Sequence, residues 1–148
     1  SSMSKLTNDH RKGAKHEQLV LKNLEKFTGY KAWNTPLWEK IDFTLSNDNF
    51  VNIIGEIKTR QNLFKFGWFV AEKKVEVLTQ WAKVMVNAKP WFVVLCLENN
   101  NIYILDLASD YKYEKTLMTN VHAVENGKEF GFLVPLEYWQ SFEVSHLT

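Results

Sequence analysis

The stretch "FVNIIGEIKTR" at residues 50–60 carries the strongest signal for the fold of this chain. Its first half is almost entirely apolar, whereas Glu56, Lys58 and Arg60 place a charge at every second position of its second half. Side chains of a β-strand alternate between its two faces, so residues two apart share a face. As a strand, this stretch would therefore deliver a carboxylate and two cations together at the end of a buried segment.

The composition is typical of one compact domain. The chain has 148 residues, of which 45% are hydrophobic and 14% aromatic, so we expect residues 3–148 to bury a real core. The single cysteine, Cys96, lies in the apolar run "WFVVLCL" and is expected to be a buried small hydrophobe. No apolar run approaches the roughly 18 residues of a membrane span, and the N-terminus lacks a signal peptide's apolar block. We expect a cytoplasmic protein without membrane contact.

The net charge of +1 hides an asymmetry between the two halves of the chain. Residues 1–74 contain 13 Lys or Arg and 8 Asp or Glu, whereas residues 75–148 contain 5 and 9. A basic half permits a local surface that faces phosphates. An ordinary mixed surface would explain the same counts, so charge alone leaves nucleic-acid binding open.

Periodicity and turn signals predict a helix, a meander of three strands, a second helix and a return strand. The first helix is expected at residues 11–28, with Asn8 or Asp9 as its N-cap and Gly29 after its end. The remaining elements are expected in the order strand 30–34, strand 40–46, strand 49–58, helix 70–87, strand 91–97, strand 101–107, strand 128–134 and a terminal helix that begins at Pro135.

This order of elements defines an α/β fold. The strand after the second helix must return by a crossover, which favours a parallel position beside the meander. We therefore predict a mixed central sheet with an αβββαβ core, a helix on each face, and additional C-terminal strands with a short helix.

Two acidic residues interrupt apolar patterns. Glu17 lies within the apolar stripe of the first helix, close in projection to Val20 and Leu24. A core-facing carboxylate is costly unless it is paired or binds a metal, although this end of the helix could instead project past the sheet into water. Asp42 stands between Ile41 and Phe43 in a predicted strand, opposite a residue between 53 and 56.

A bulge at Gly55 would bring Asp42 opposite Glu56. Two carboxylates so close repel each other unless a positive group lies between them, and an oxygen-coordinated divalent cation is a common solution. The other interpretation is a buried salt-bridge cluster in which Lys58 neutralises the pair. The hairpin alone does not decide between a metal site and a structural cluster.

The whole pattern resembles a known family. A first-helix glutamate, then Asp42, thirteen intervening residues and Glu-x-Lys resembles the PD-(D/E)xK nuclease superfamily, and in particular small phage nucleases and Holliday-junction resolvases. The resemblance covers residues 11–97. It implies a restriction-endonuclease-like fold and a metal-dependent endonuclease that hydrolyses DNA, with Mg²⁺ or Mn²⁺ as the metal. The usual proline of the motif is replaced by Ile41, which weakens the resemblance more than the expected chemistry.

The resemblance also implies roles for individual residues. Asp42, Glu56 and the backbone carbonyl of Ile57 match the metal ligands, and Glu17 matches a glutamate that holds a second metal directly or through water. Lys58 matches the motif lysine, which orients or deprotonates the attacking water or neutralises developing charge. One metal and two metals both remain open.

Three further cations are candidates for binding nucleic acid. Arg60 would contact a neighbouring phosphate, or is simply an exposed arginine at a strand end. Lys74, at helical spacing from Leu78, borders the core face of the second helix and resembles a basic residue that returns to the site in phage-type members. Lys65 is interleaved with aromatic residues, namely Phe64, Phe66, Trp68 and Phe69. These aromatic side chains could stack on unpaired bases. Closure of the core beneath the loop is the role that burial preferences favour for them.

The function that follows is a nuclease acting on DNA. Because no appended domain is expected that would recognise a sequence, branched or otherwise structured DNA is the expected substrate. A catalytically inactive binding module with a structural Asp/Glu/Lys cluster is the alternative, and an RNA substrate is a weaker one. Some resolvases of this kind are homodimers, so a homodimer is possible here by analogy only. The sequence has no glycine-rich phosphate loop, so no nucleotide cofactor is expected.

Overall fold

The structure is a computed structural model that describes the backbone of residues 2–35, 41–109, 114–119 and 128–145. Two helices, α1 (Ser2–Thr28) and α2 (Glu72–Val84), and one short 3-10 turn (Leu136–Tyr138) lie in this part of the chain. Neither helix is long and apolar enough to cross a membrane. The strands are β1 (Lys31–Asn34), β2 (Phe43–Ser46), β3 (Val51–Arg60), β4 (Trp68–Ala71), β5 (Lys89–Cys96), β6 (Asn101–Asp106), β7 (Glu114–Thr119), β8 (Lys128–Val134) and β9 (Gln140–Glu143).

The central sheet has the predicted mixed topology. Its order is β1-β2-β3-β5-β6-β9, in which β1, β2 and β3 form an antiparallel meander. The crossover through α2 returns the chain so that β5 pairs with β3 in parallel, with Glu56 beside Phe92 and Lys58 beside Val94. The continuous apolar run of β5 is buried along nearly its whole length, because β5 lies between β3 and β6 and both of its faces are covered.

A helix packs on each face of this sheet, as predicted. On one face, Val20, Leu21 and Leu24 of α1 pack with alternate residues of the sheet such as Phe43 and Ile53. On the other face, the buried cluster includes Leu78 and Ala82 of α2 together with residues of β3, β5 and β6. The strand alternation of β3 therefore sends Ile53 towards α1 and Ile54 towards α2.

A second sheet of three strands, in the order β4-β8-β7, joins the α2 face. Trp68 and Val70 of β4 and Val134 of β8 contribute to the core beneath α2. The Trp68 indole stands edge-on to the rings of Tyr103 and Trp139, at centroid distances of 4.9 and 5.4 Å. This aromatic cluster connects the small sheet to the central one.

The predicted helix at residues 70–87 begins too early, and the structure corrects it. Residues Trp68–Ala71 form β4, which pairs with β8 and buries every second side chain, so α2 starts only at Glu72. The strand was missed because four residues give too short a period-two signal to stand out beside a strong helical pattern. The helix also ends earlier, at Val84, and Val86 and Asn87 then adopt positive φ angles of 54° and 65°.

Two other predictions of local structure are wrong. Helix α1 begins at Ser2, so Asn8 and Asp9 lie inside it rather than capping it. Pro135 precedes only a 3-10 turn, because Gln140–Glu143 pairs with β6 as an edge strand. The β2–β3 hairpin has a register shift between Leu45 and Ser46, and at its other end both Asp42 and Phe43 face Gly55. The unassigned stretch at residues 110–126 contains β7, and its other residues lie outside the described part of the chain.

Candidate functional site

Glu56 is the centre of the polar cluster at the end of β3. It is the only acidic side chain buried among the described residues, with 6% of the residue exposed. Its Oε2 atom is fully buried and has no hydrogen-bond partner within the described part of the chain. A buried carboxylate oxygen without a partner is energetically costly, so this atom has capacity for a ligand.

Two lysines converge on the other oxygen of the same carboxylate. Lys58, two residues further along β3, places its Nζ 3.5 Å from Glu56 Oε1. Lys74 from the first turns of α2 places its Nζ 3.2 Å from the same atom. Because Lys74 faces the sheet while Lys73 is exposed, the helical phase predicted from Leu78 is correct.

The environment of Glu56 makes its protonation sensitive to its neighbours. Burial raises the pKa of the Glu56 carboxyl above its ordinary value, and this is the largest effect. The charges of Lys58 and Lys74 lower that pKa, while the nearby Asp42 raises it again. A divalent cation beside this carboxylate would add positive charge and lower its pKa in the same direction as the lysines.

Asp42 directly precedes β2 and lies close enough to Glu56 for their charges to interact. The β2–β3 ladder ends at the pair Phe43 and Gly55, and the Asp42 N–H also donates to the Gly55 carbonyl, at 2.9 Å. The Ile57 N–H donates to Asp42 Oδ2 at 2.9 Å. The N–H and C=O groups of one β-strand residue point to the same side of the strand. The Ile57 carbonyl therefore also lies on the Asp42 side of β3.

Gly55 permits the close approach of these strands. A Cβ atom at this position would lie 2.4 Å from the Trp91 carbonyl oxygen and 2.6 Å from the Phe43 ring. Packing between β2 and β5 therefore requires glycine at this position. Its absence of a side chain lets β3 hold Glu56 and Ile57 in position on either side of the sheet.

Glu17 reaches the site from the opposite face. It lies on α1 one turn before the buried Val20 and is itself half-buried. Burial raises the pKa of the Glu17 carboxyl, and the negative charge of Asp42 raises it further. Glu17 is thus within electrostatic reach of Asp42, although this end of α1 does not bury it fully.

The two remaining cations lie further from the carboxylates. Arg60 is exposed at the end of β3, where its guanidinium donates to the Thr59 carbonyl at 3.2 Å. Packing of neighbouring groups lowers the pKa of Arg60, and the Glu56 charge opposes this effect, so both residues belong to one electrostatic environment. Lys65 is exposed in the following loop, and nothing in the described residues joins its ammonium to Glu56.

The residues present fit a hard divalent cation, with one restriction. Carboxylate and carbonyl oxygens from Asp42, Glu56 and Ile57 are the donors that Mg²⁺ prefers, and Glu56 Oε2 is a donor atom that no described group of the chain satisfies. Within the part of the chain that the structure describes, no three Asp, Glu, His or Cys side chains come close enough to form a metal cluster. Water or a substrate phosphate would therefore have to complete the coordination.

The order of the elements and the mixed central sheet are those of the restriction-endonuclease-like fold, as the sequence predicted. Among solved structures, the chain is similar to Hjc of Archaeoglobus fulgidus, a Holliday junction resolvase from an archaeal hyperthermophile. The sequences are 18% identical, the match covers 80% of this chain and 82% of Hjc, and the TM-score is 0.55. No protein-family model and no curated protein sequence matches the chain.

Proposed function

We propose that this protein is a metal-dependent nuclease that hydrolyses phosphodiester bonds of branched or otherwise structured DNA. The observation that carries the proposal is the buried Glu56 carboxylate, which has one oxygen without a partner and lies beside Asp42. The fold shared with a Holliday junction resolvase supports a DNA substrate.

Asp42, Glu56 and the Ile57 carbonyl would hold the metal. When bound there, Mg²⁺ would stabilise charge on the scissile phosphate and lower the pKa of a coordinated water. The hydrogen bond from the Ile57 N–H fixes the Asp42 carboxylate, so that its other oxygen faces the site in a defined orientation. Glu17 would accept a hydrogen bond from a water on the metal, since it lies close enough to Asp42 for the Asp42 charge to add to the effect of burial in raising the Glu17 pKa.

The two lysines have different tasks in this proposal. Lys58 lies on the same strand as Glu56 and would orient the attacking water or accept its proton. Lys74 approaches from α2 and would keep Glu56 ionised and receive charge that develops on the phosphate. Arg60 lies at the end of β3, about 13 Å along the strand from Glu56. Its guanidinium would bind a neighbouring phosphate of the same DNA.

The test is cleavage by the purified protein in Mg²⁺, Mn²⁺ or EDTA, with supercoiled plasmid, single-stranded DNA, single-stranded RNA and a four-way junction as substrates. Lys58→Ala serves as the inactive variant and Lys73→Ala as a control, since Lys73 is an exposed lysine on the same helix as Lys74. We expect cleavage that requires the metal, is strongest on the junction and disappears in Lys58→Ala. Nicking of the circular plasmid would identify an endonuclease.

A second candidate is a binding module without catalysis. It is favoured by the fact that Lys58 and Lys74 already neutralise Glu56 without a metal, as expected of a structural cluster. Junction binding without cleavage in either metal, together with a less stable Lys58→Ala variant, would support this candidate and contradict the nuclease.

A further inference from the structure

The loop at residues 61–67 joins the two elements that carry the candidate site. It leaves β3 directly after Arg60 and leads through the short strand β4 into α2, which carries Lys74. We call residues 61–67 the aromatic loop, because Phe64 and Phe66 lie in it on either side of Lys65.

The two phenylalanines of the aromatic loop face solvent. The sequence favoured a role for them in closing the core, and the structure contradicts this for Phe64 and Phe66, which are 40% and 54% exposed. Only Trp68 is buried as expected, while Phe69 is half-buried. The Phe64 and Phe66 rings stack on each other with centroids 4.9 Å apart and an interplanar angle of 14°. Each ring therefore covers part of one face of the other, and the pair forms one exposed apolar unit rather than two isolated side chains.

The backbone of the aromatic loop is fixed. The Gly67 N–H donates to the Phe64 carbonyl at 2.9 Å, and the Leu136 N–H donates to the Lys65 carbonyl at 3.3 Å. Gly67 has a φ of 75°, and a Cβ there would lie 1.7 Å from the Val134 carbonyl oxygen. Because these contacts hold the backbone of the loop on both sides, the aromatic loop should lose little backbone conformational entropy when it binds a partner.

Two exposed cations adjoin the ring pair in the sequence. Arg60 precedes the aromatic loop, Lys65 lies between the two phenylalanines, and both side chains are exposed. Aromatic rings interleaved with cations are the combination that binds single-stranded nucleic acid, since the cations contact the backbone and the rings stack on bases. A protein partner would not require this charge, and the position beside the cleavage site favours the same DNA molecule as occupant.

We propose that Phe64 and Phe66 stack on unpaired bases of the DNA strand next to the cleaved phosphate. This inference rests on the proposed function and specifies the substrate as DNA with unpaired nucleotides at the site. The double-stranded arms of the same substrate would not use the ring pair, because their bases are already stacked and paired.

The test measures binding in EDTA, where cleavage does not interfere. The probes are a duplex with a short unpaired bulge that contains 2-aminopurine and a fully paired duplex of matching sequence. The variants are Phe64→Ala, Phe66→Ala and their combination. Phe50→Ala is the matched control, because Phe50 is 60% exposed at the β2–β3 turn, at the other end of the strand from the site.

Wild-type protein should bind the bulged duplex more tightly than the paired one and should change the 2-aminopurine fluorescence. The double variant should lose about 5- to 150-fold in affinity for the bulged duplex and about twofold or less for the paired one. Phe66→Trp should retain binding, because an indole also stacks, and Phe50→Ala should bind like wild type.

Equal losses on both duplexes, or no loss on either, would overturn the inference. A change in oligomeric state of the double variant, measured by light scattering, would also overturn it, since the rings would then bind a second copy. These outcomes are separate from failure of the proposed function, which would appear as a wild-type protein that cuts no DNA in Mg²⁺ or Mn²⁺.

Discussion

The ammonium of Lys74 lies 3.2 Å from Glu56 Oε1, although the two residues come from a helix and a strand separated by a loop and a second strand. This ion pair connects α2 to the end of β3 at the point where the other Glu56 oxygen has no partner. The position of α2 and the charge state of Glu56 are therefore coupled.

Lys74→Ala tests this coupling. Removing the ammonium raises the pKa of Glu56 and leaves a buried carboxylate with weaker compensation, so we expect a loss of about 1 kcal/mol in stability and at least about tenfold slower cleavage. Urea unfolding and cleavage of a four-way junction measure the two effects. Lys73→Ala, one residue earlier on the exposed side of α2, should behave like wild type. Equal effects in both variants would contradict a specific role for Lys74.

The raised pKa of Glu56 has a consequence for stability. A carboxyl whose pKa is higher in the folded than in the unfolded protein contributes its full stabilisation at pH values below its ordinary pKa of 4.5. That contribution is lost as the pH rises through the raised pKa of the folded state. Glu56→Gln, which imitates the protonated form, should match wild type near about pH 4 and be more stable than wild type near about pH 8 in EDTA.

Urea unfolding of both proteins across this pH range measures the difference. Glu76→Gln is the control, because it makes the same substitution at an exposed position of α2. A stability difference between Glu56→Gln and wild type that stays constant with pH would show that ionisation of Glu56 is not costly.

Asp42→Asn separates metal binding from folding. The amide oxygen can still accept the Ile57 N–H, so stability without metal should change by about 1 kcal/mol or less. Loss of one metal ligand should remove several kcal/mol of charge stabilisation, which corresponds to roughly a thousandfold slower cleavage. Mg²⁺ should raise the melting temperature of wild type and not of the variant. An equal Mg²⁺ shift in both proteins would place the metal elsewhere.

Gly55→Ala probes the packing that positions the site. The new methyl group would overlap the Trp91 carbonyl and the Phe43 ring, and backbone atoms cannot move away cheaply, so we expect destabilisation of about 3 kcal/mol. Gly13→Ala on α1 is the control, because nothing lies within 4 Å of a Cβ at that position. Thermal unfolding compares them, and a Gly55→Ala protein as stable as wild type would disprove the close approach.

Asn23 provides a test of how the end of the chain is held. Its buried amide donates to the Ser145 carbonyl at 3.1 Å and accepts from the Ser145 N–H at 2.7 Å, so that it ties the segment after β9 to α1. Asn23→Ala would leave buried polar groups unpaired at a cost of about 2 kcal/mol. Hydrogen exchange of the Ser145 amide should accelerate in the variant. Unchanged protection of this amide would show that the two hydrogen bonds of Asn23 do not hold the segment after β9.

Much of the central architecture followed from the sequence because its signals are local. The apolar run of β5 indicated a strand covered on both faces, and the polar turn at residues 46–49 indicated the β2–β3 hairpin. Alternation alone placed Glu56 and Lys58 on one face of β3. Strands β4, β7 and β9 escaped prediction, because their own sequences carry no clear strand signal and their pairing with β8 or β6 depends on the tertiary fold.

The sequence by itself determined which residues are candidates for the site: an acidic residue in each of two neighbouring strands, a lysine at strand spacing, and a glutamate on an apolar helix stripe. Only the tertiary structure decided that Lys74 pairs with Glu56, that one Glu56 oxygen is buried without a partner, and that Phe64 and Phe66 face solvent. The physical reason is that spacing along the chain defines the face of each element, whereas burial and ion pairing depend on how helices and sheets pack against each other.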